Sequence, residues 1–286
     1  GFAATDVITD GLIVEHSTVM TSPIYQSIAW GFRSFGAVVS GITGGWLAAH
    51  WDPKHIFLLT MILPLATLFS AVWIHERKIS KLPFRSPVVP FQRCARLLWH
   101  ENLFWFVLIL IFIAISASFG TPFFFFMKEN LGFHETFLGL LASLGWGGAM
   151  FGSLIYAKWL RKVAAPKSIL RWALVLKSLN IFIVLLITDK LTAFCVIFLG
   201  GIMGCLVVLP VMSAAASLTH HSGVEGTLFA ILMSVFNLAQ IVFGFLGGRV
   251  FSVIGLYPLI VSAGCIALAA LFVVQKLNLE KISYEI

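Results

Sequence analysis

The chain has 286 residues, of which 59% are hydrophobic and 11% charged, with a formal net charge of +7 and a mean hydropathy of +0.99. Polar sequence this sparse cannot cover a soluble globule, and one core has no use for so much apolar sequence, so the composition defines a polytopic membrane protein. The positive balance does not point to nucleic acid, because the basic residues cluster beside hydrophobic segments, as membrane topology requires.

Windows of about 20 apolar residues, the length that crosses a bilayer as a helix, predict an all-α fold with nine spans. In chain order they lie at 1–16, 24–50, 55–75, 102–127, 136–159, 168–188, 191–217, 225–248 and 255–275. Trp51-Asp52-Pro53-Lys54 and Thr188-Asp189-Lys190 make tight connections. Residues 76–101, with Pro83, Pro87 and Pro90, make a long one. The expected organisation is therefore 1–75 with three spans, a loop at 76–101, and 102–286 with six. The chain starts at Gly1 without a methionine or a basic leader. Its first segment is already membrane-like, so upstream helices are expected to be missing.

Orientation follows from the basic residues near span ends. Six lie in 76–101 (Arg77, Lys78, Lys81, Arg85, Arg93, Arg96), five in 158–171 (Lys158, Arg161, Lys162, Lys167, Arg171) and two in the tail (Lys276, Lys281). The opposite ends carry four: Lys54, Lys128, Lys190 and Arg249. Thirteen against four puts both long basic connections and the C-terminus on the cytoplasmic side, where anionic lipid accounts for the charges.

The functional signal is polar sequence inside the apolar spans. An ionised side chain at the middle of a membrane helix costs roughly 2.5–3.5 kcal/mol even on insertion scales, so such residues normally face a bundle interior or an aqueous path. Asp6, Asp10 and Glu15 fall in the first span, with Asp6 and Asp10 within about 40° on a helix. Two carboxylates on one face raise each other's pKa, so one holds a proton near neutral pH, the requirement for proton coupling. The alternative is a fixed ion pair with Arg33. Gln26, Trp30 and Arg33 share the next stripe. A guanidinium fork suits a carboxylate, and an indole and an amide beside it suit a flat heteroaromatic ring. Lys177 lies deep enough in its span to line a cavity and is long enough to snorkel out of it. Ser234, Asn237 and Gln240 form a polar flank that faces either a cavity or a neighbouring helix. Ser222-x-x-Glu225 reads as a capping box at a helix start, with gating as the other reading.

The remaining features read as structural. Gly36, Ser40 and Gly44, and likewise Gly41 and Gly45, put small residues on helix faces where backbones approach, as do runs at Gly200–Gly204 and Gly244–Gly248. Phe123 to Phe126 read as lipid or interface contacts. Cys94, Cys195, Cys205 and Cys265 form no CxxC pair and read as packing residues. His220-His221 has no third ligand at metal spacing, and no nucleotide-binding or hydrolase motif is present, so no metal, cofactor or enzymatic activity is expected.

Six spans after a long basic loop match the second half of a six-plus-six carrier, with the first three as helices 4 to 6. The segment Ala4-Thr-Asp-Val-Ile-Thr-Asp-Gly-Leu-Ile-Val-Glu15, followed by Gln26-Ser-Ile-Ala-Trp30 and Arg33-x2-Gly36, resembles helices 4 and 5 of the folate–biopterin transporter family within the major facilitator superfamily. Gly223-Val-Glu-Gly-Thr-Leu-Phe-Ala230 with Met233-Ser-x2-Asn237 is similar to the start of that family's helix 11. Of the superfamily's loop signature, Gly152 and Arg161-Lys162 are present. The resemblance implies alternating-access import of folates, pterins or related solutes with protons, through a multi-pass protein of the cell membrane or, in a plastid-bearing organism, the plastid envelope. Carriers of other solutes, notably S-adenosylmethionine, share the family. A membrane-embedded enzyme or a non-transporting receptor would be separated from a carrier by solute uptake into vesicles.

Overall fold

The computed structural model describes residues 9–14, 17–18, 21–73, 94–160, 166–220 and 222–278. No strand occurs among them. The longer helices are α1 (Ser22–His50), α2 (Pro53–Trp73), α3 (Glu101–Ile115), α4 (Gly120–Glu129), α5 (Glu135–Ile155), α6 (Pro166–Phe182), α7 (Lys190–Thr219), α8 (Glu225–Ile254) and α9 (Leu256–Lys276). Residues 9–14 and 94–98 are helical too, and Tyr156–Leu160 continues α5 as a π-turn.

Among the described residues, six helical segments are long and apolar enough to cross a membrane: Glu101–Glu129, Thr136–Lys158, Lys167–Leu186, Lys190–Thr219, Glu225–Ile254 and Leu256–Lys276. They coincide within a few residues with the last six predicted spans. Of the other three, 1–16 lies mostly outside the described residues. The 29-residue α1 has the length but is interrupted by Gln26, Arg33 and five glycines. Helix α2 is apolar over most of its 21 residues and carries Pro64 inside it.

The predicted span 102–127 is two helices. The chain turns at 116–119 between α3 and α4. There the buried Ser116 hydroxyl donates to Ile113 O at 2.7 Å, satisfying a carbonyl at the end of α3. Gly247 of α8 packs its backbone on Ser118, where a Cβ would collide with the Ser118 carbonyl. Small residues and a tertiary contact make this break, and hydropathy does not register either.

Helix α1 packs along α5. A Cβ on Gly31 would sit 3.0 Å from Ser153 Oγ, Gly147 faces Val38, and Gly41 has no room for a side chain beside Ser143. Each step forward along α1 is matched by a step back along α5, so the two run antiparallel in close register. The α5–α7 contact is tighter still. A Cβ on Gly148 would strike Phe198 O, one on Gly201 would strike Gly145 O, and one on Gly152 would lie 2.6 Å from Ile202 O. These glycines let backbones touch, which is how helices associate where lipid removes the hydrophobic drive. Of the predicted stripes, Gly41, Gly201 and Gly247 pack closely, whereas Gly36, Gly44, Gly244 and Gly248 have open space beside them; Gly31, outside the stripes, packs as well. Spacing of four marks a face without saying which face meets a neighbour.

The tetrad Phe123–Phe126 divides between two faces. Phe123 is buried and Phe126 packs against the same core, while Phe124 and Phe125 are exposed, as 3.6-residue periodicity requires. Cys94 and Cys205 are buried; Cys195 and Cys265 are exposed. The tight connection before α7 is a capping box. The Asp189 carboxylate accepts from the amides of Leu191 and Thr192, and the Thr192 hydroxyl accepts from the Asp189 amide.

Candidate functional site

A cavity of about 570 Å³ opens among α1, α3, α5, α7 and α8, reached also by one residue of α6 and by Asp10 of the helical stretch 9–14. Its polar lining is Asp10, Trp30, Arg33, Lys177, Asn237 and Gln240. Five of these were predicted as site or coupling residues, and Gln240 belongs to the predicted polar flank. Its remaining member, Ser234, is exposed outside the lining.

Trp30 joins two helices distant in sequence. Its indole N–H donates to the Met212 sulfur on α7 at 2.8 Å, and the Arg33 guanidinium carbon lies 4.9 Å from the centre of its ring. One turn of α1 separates the two residues, so the stacking orients the guanidinium along the cavity wall. Gln26, in the same predicted stripe, lies one turn earlier. It does not line the cavity; its side chain is fully buried, and neither amide atom has a hydrogen-bond partner among the described residues.

The other two predicted acidic residues, Asp6 and Glu15, lie outside the described residues. Asp10 is half-buried at the cavity, and Val14 beyond it packs into the apolar cluster that includes Leu228 and Leu232 of α8. A Cβ on Gly11 would lie 4.0 Å from Gly226 Cα. The first polar segment and the start of α8 are thus neighbours in space.

Ser222 and Glu225 differ from the predicted capping box. The helix begins two residues later than the box requires, with Val224 as the flanking residue and no side-chain cap on the helix itself. Ser222 Oγ accepts from the Val224 amide at 3.2 Å, and the Glu225 carboxylate accepts from the Gly223 amide at 3.1 Å. Gly223 takes φ +70°, which a residue with a side chain adopts at a cost, and this turn displaces the register. Neither residue lines the cavity.

Sequence reasoning did not single out the apolar walls as part of a site, and read Gly201 and Gly204 only as packing residues. Trp146 and Ala149 of α5, Gly201 and Gly204 of α7, and Phe236 of α8 line the space, and in a chain this hydrophobic no composition signal separates them from lipid-facing neighbours. Tyr156, at the end of α5, is hydrogen bonded to Ser213 of α7 at 3.0 Å and is fully packed. The charge distribution does mark the cavity. Of nineteen lysines and arginines, seventeen are those assigned above to span ends; the remaining two, Arg33 and Lys177, both reach this space.

Apolar helices of membrane-spanning length around a cavity with a few charged side chains define a multi-pass integral membrane protein. The chain belongs to the BT1 family, whose model matches residues 1–277. It is 28% identical to a folate-biopterin transporter of Synechocystis, over 84% of this chain and 51% of the relative. It is 24% identical to folate transporter 1 of Plasmodium falciparum, over 86% of this chain and 50% of the relative. The chain spans about half the length of the curated relatives it matches.

Proposed function

We propose that this chain is part of a secondary carrier that moves a folate- or pterin-like solute across a membrane, coupled to protons, with the cavity as the solute site. The observation that carries this reading is the meeting of Trp30, Arg33, Lys177 and Asn237 in one cavity, from helices far apart in sequence. An indole face beside a guanidinium accepts a flat ring with an anionic group, and the names of the relatives point to the same solute class.

Residues 1–75 belong, in this reading, to one helical bundle and 102–286 to the other, in the manner of the major facilitator superfamily. Trp30 and Met212 then meet across the boundary between bundles, and their separation on the cytoplasmic side is part of the change of access. Asp10 carries the coupled proton, as the described carboxylate that reaches the cavity. Gln26 supports the Trp30 stripe from below the solute, and Ser222 and Glu225 shape the start of α8.

The test uses the full-length protein in proteoliposomes, with labelled folate. Proton-gradient-driven uptake should be lost in Asp10→Asn, while gradient-free counterflow persists. Concentrative uptake of normal size in Asp10→Asn removes the proton role and leaves a structural ion pair. Absence of any gradient-free exchange in the wild-type protein removes the carrier reading itself.

A further inference from the structure

Lys177 does not belong to a cavity-lining helix. Within the described residues, α6 packs on α7, α9 and its own 3₁₀ continuation and makes no substantial contact with α1, α3, α5 or α8. Lys177 is nevertheless its one contribution to the cavity. The route runs across α7. Asn180 donates its side-chain amide to Gly200 O at 3.3 Å, which fixes the antiparallel register of α6 and α7. Three residues back along α6 is Lys177, and the matching step forward along α7 reaches 203–204. Gly201 and Gly204 both line the cavity at this level. Two glycines facing the cavity leave α7 without side chains there, and a long, unbranched lysine passes the gap to bring its ammonium to the solute space.

Among the described residues its charge has no counterpart. Asp10 and Arg33 each have an interaction partner, whereas Lys177 has neither an ion pair nor a hydrogen bond among the described residues. A half-buried ammonium in an apolar span is costly unless an anion joins it, and the span ends already hold every other lysine and arginine except Arg33. Resting on the carrier reading above, we infer that Lys177 is the charge-selecting residue of the site: it pairs with an anionic group of the solute, so the cavity takes conjugated, carboxylate-bearing pteridines in preference to neutral ones. The flat ring lies toward Trp30 and Arg33, and the acidic tail toward Lys177.

Equilibrium binding of folate, which carries carboxylates, and of neutral biopterin to the purified full-length protein in nanodiscs tests this. In Lys177→Gln, folate affinity should fall at least about tenfold, the value of a charge-assisted hydrogen bond, with biopterin affinity within about twofold of wild type. Lys177→Arg should restore most of the preference for folate. Gly204→Ala, whose Cβ meets only Asn180 at 3.9 Å, narrows the gap and should weaken folate selectively while leaving the thermal midpoint unchanged. Parallel loss of both solutes in Lys177→Gln assigns the lysine to structure and overturns the inference. So does unchanged folate binding, which places the ammonium at the membrane surface. If the wild-type protein binds neither solute, the carrier reading fails together with it.

Discussion

The indole of Trp30 and the thioether of Met212 are held 2.8 Å apart across 182 residues of sequence. Trp30 also supports the Arg33 guanidinium from its ring face. One side chain therefore positions a cation and ties α1 to α7. Trp30→Phe keeps a ring under Arg33 but removes the N–H donor, whereas Trp30→Leu removes both. We expect solute affinity to fall by about 0.5–1 kcal/mol more in Trp30→Leu than in Trp30→Phe, the worth of an accessible cation–π contact, as read by titration of the full-length protein. Equal loss in the two variants would assign the effect to the sulfur contact alone.

Arg33→Lys keeps the charge but loses the planar fork that stacks on Trp30. Solute binding should weaken by about 1–3 kcal/mol, with proton-driven uptake retained at saturating solute. Loss of coupling without loss of affinity would instead make Arg33 the partner of the proton-carrying group.

The glycine contacts make a sharp stability prediction. A methyl on Gly201 meets the backbone of Gly145, which cannot yield as a flexible side chain can. Gly201→Ala should cost about 1–3 kcal/mol and lower the thermal midpoint of the purified protein. Gly244→Ala, with open space beside it, should leave it unchanged or raise it, since alanine favours a helix by about 1 kcal/mol over glycine. Similar effects at both positions would mean that α5 and α7 do not touch as described.

The last six predicted spans matched because apolar length is set by the bilayer and needs no tertiary information. The break at 116–119 escaped because Ser116, Ala117, Ser118 and Gly120 lower hydropathy too little to interrupt a window. What makes the break is Gly247 arriving from α8. Trp30, Arg33, Lys177 and Asn237 were legible because each is conspicuous against an apolar background. Trp146, Met212 and Gly204 were not, since their neighbours in sequence are equally apolar and only the packing of α5 and α7 turns them inward. Gln26 shows the limit of stripe reasoning: an offset of four shares a face with Trp30 but says nothing of where along the helix the cavity begins.

Asp189 gives a pH prediction outside the spans. The amide of Thr192, with that of Leu191 and the Thr188 and Thr192 hydroxyls, holds its carboxylate below the usual value against a smaller opposing effect of burial. A depressed folded-state pKa stabilises the protein above the unfolded value, about 3.9, and that contribution is lost as pH falls through the folded value. The thermal midpoint should therefore drop below about pH 4 by less in Asp189→Asn, which keeps a neutral cap, than in wild type. An identical acid response in the two proteins would show that this cap does not contribute.

Solute protection of an introduced cysteine tests most directly whether the cavity holds the solute. Asn237→Cys puts a thiol on the α8 wall of the cavity, and Val261→Cys puts one on the exposed face of α9. In the full-length protein, saturating folate should slow modification of Asn237→Cys at least about tenfold, as occupancy above nine-tenths requires, and leave Val261→Cys unaffected. Equal modification rates of Asn237→Cys with and without folate, under conditions where folate is shown to bind, would put the solute elsewhere and contradict the assignment of this cavity.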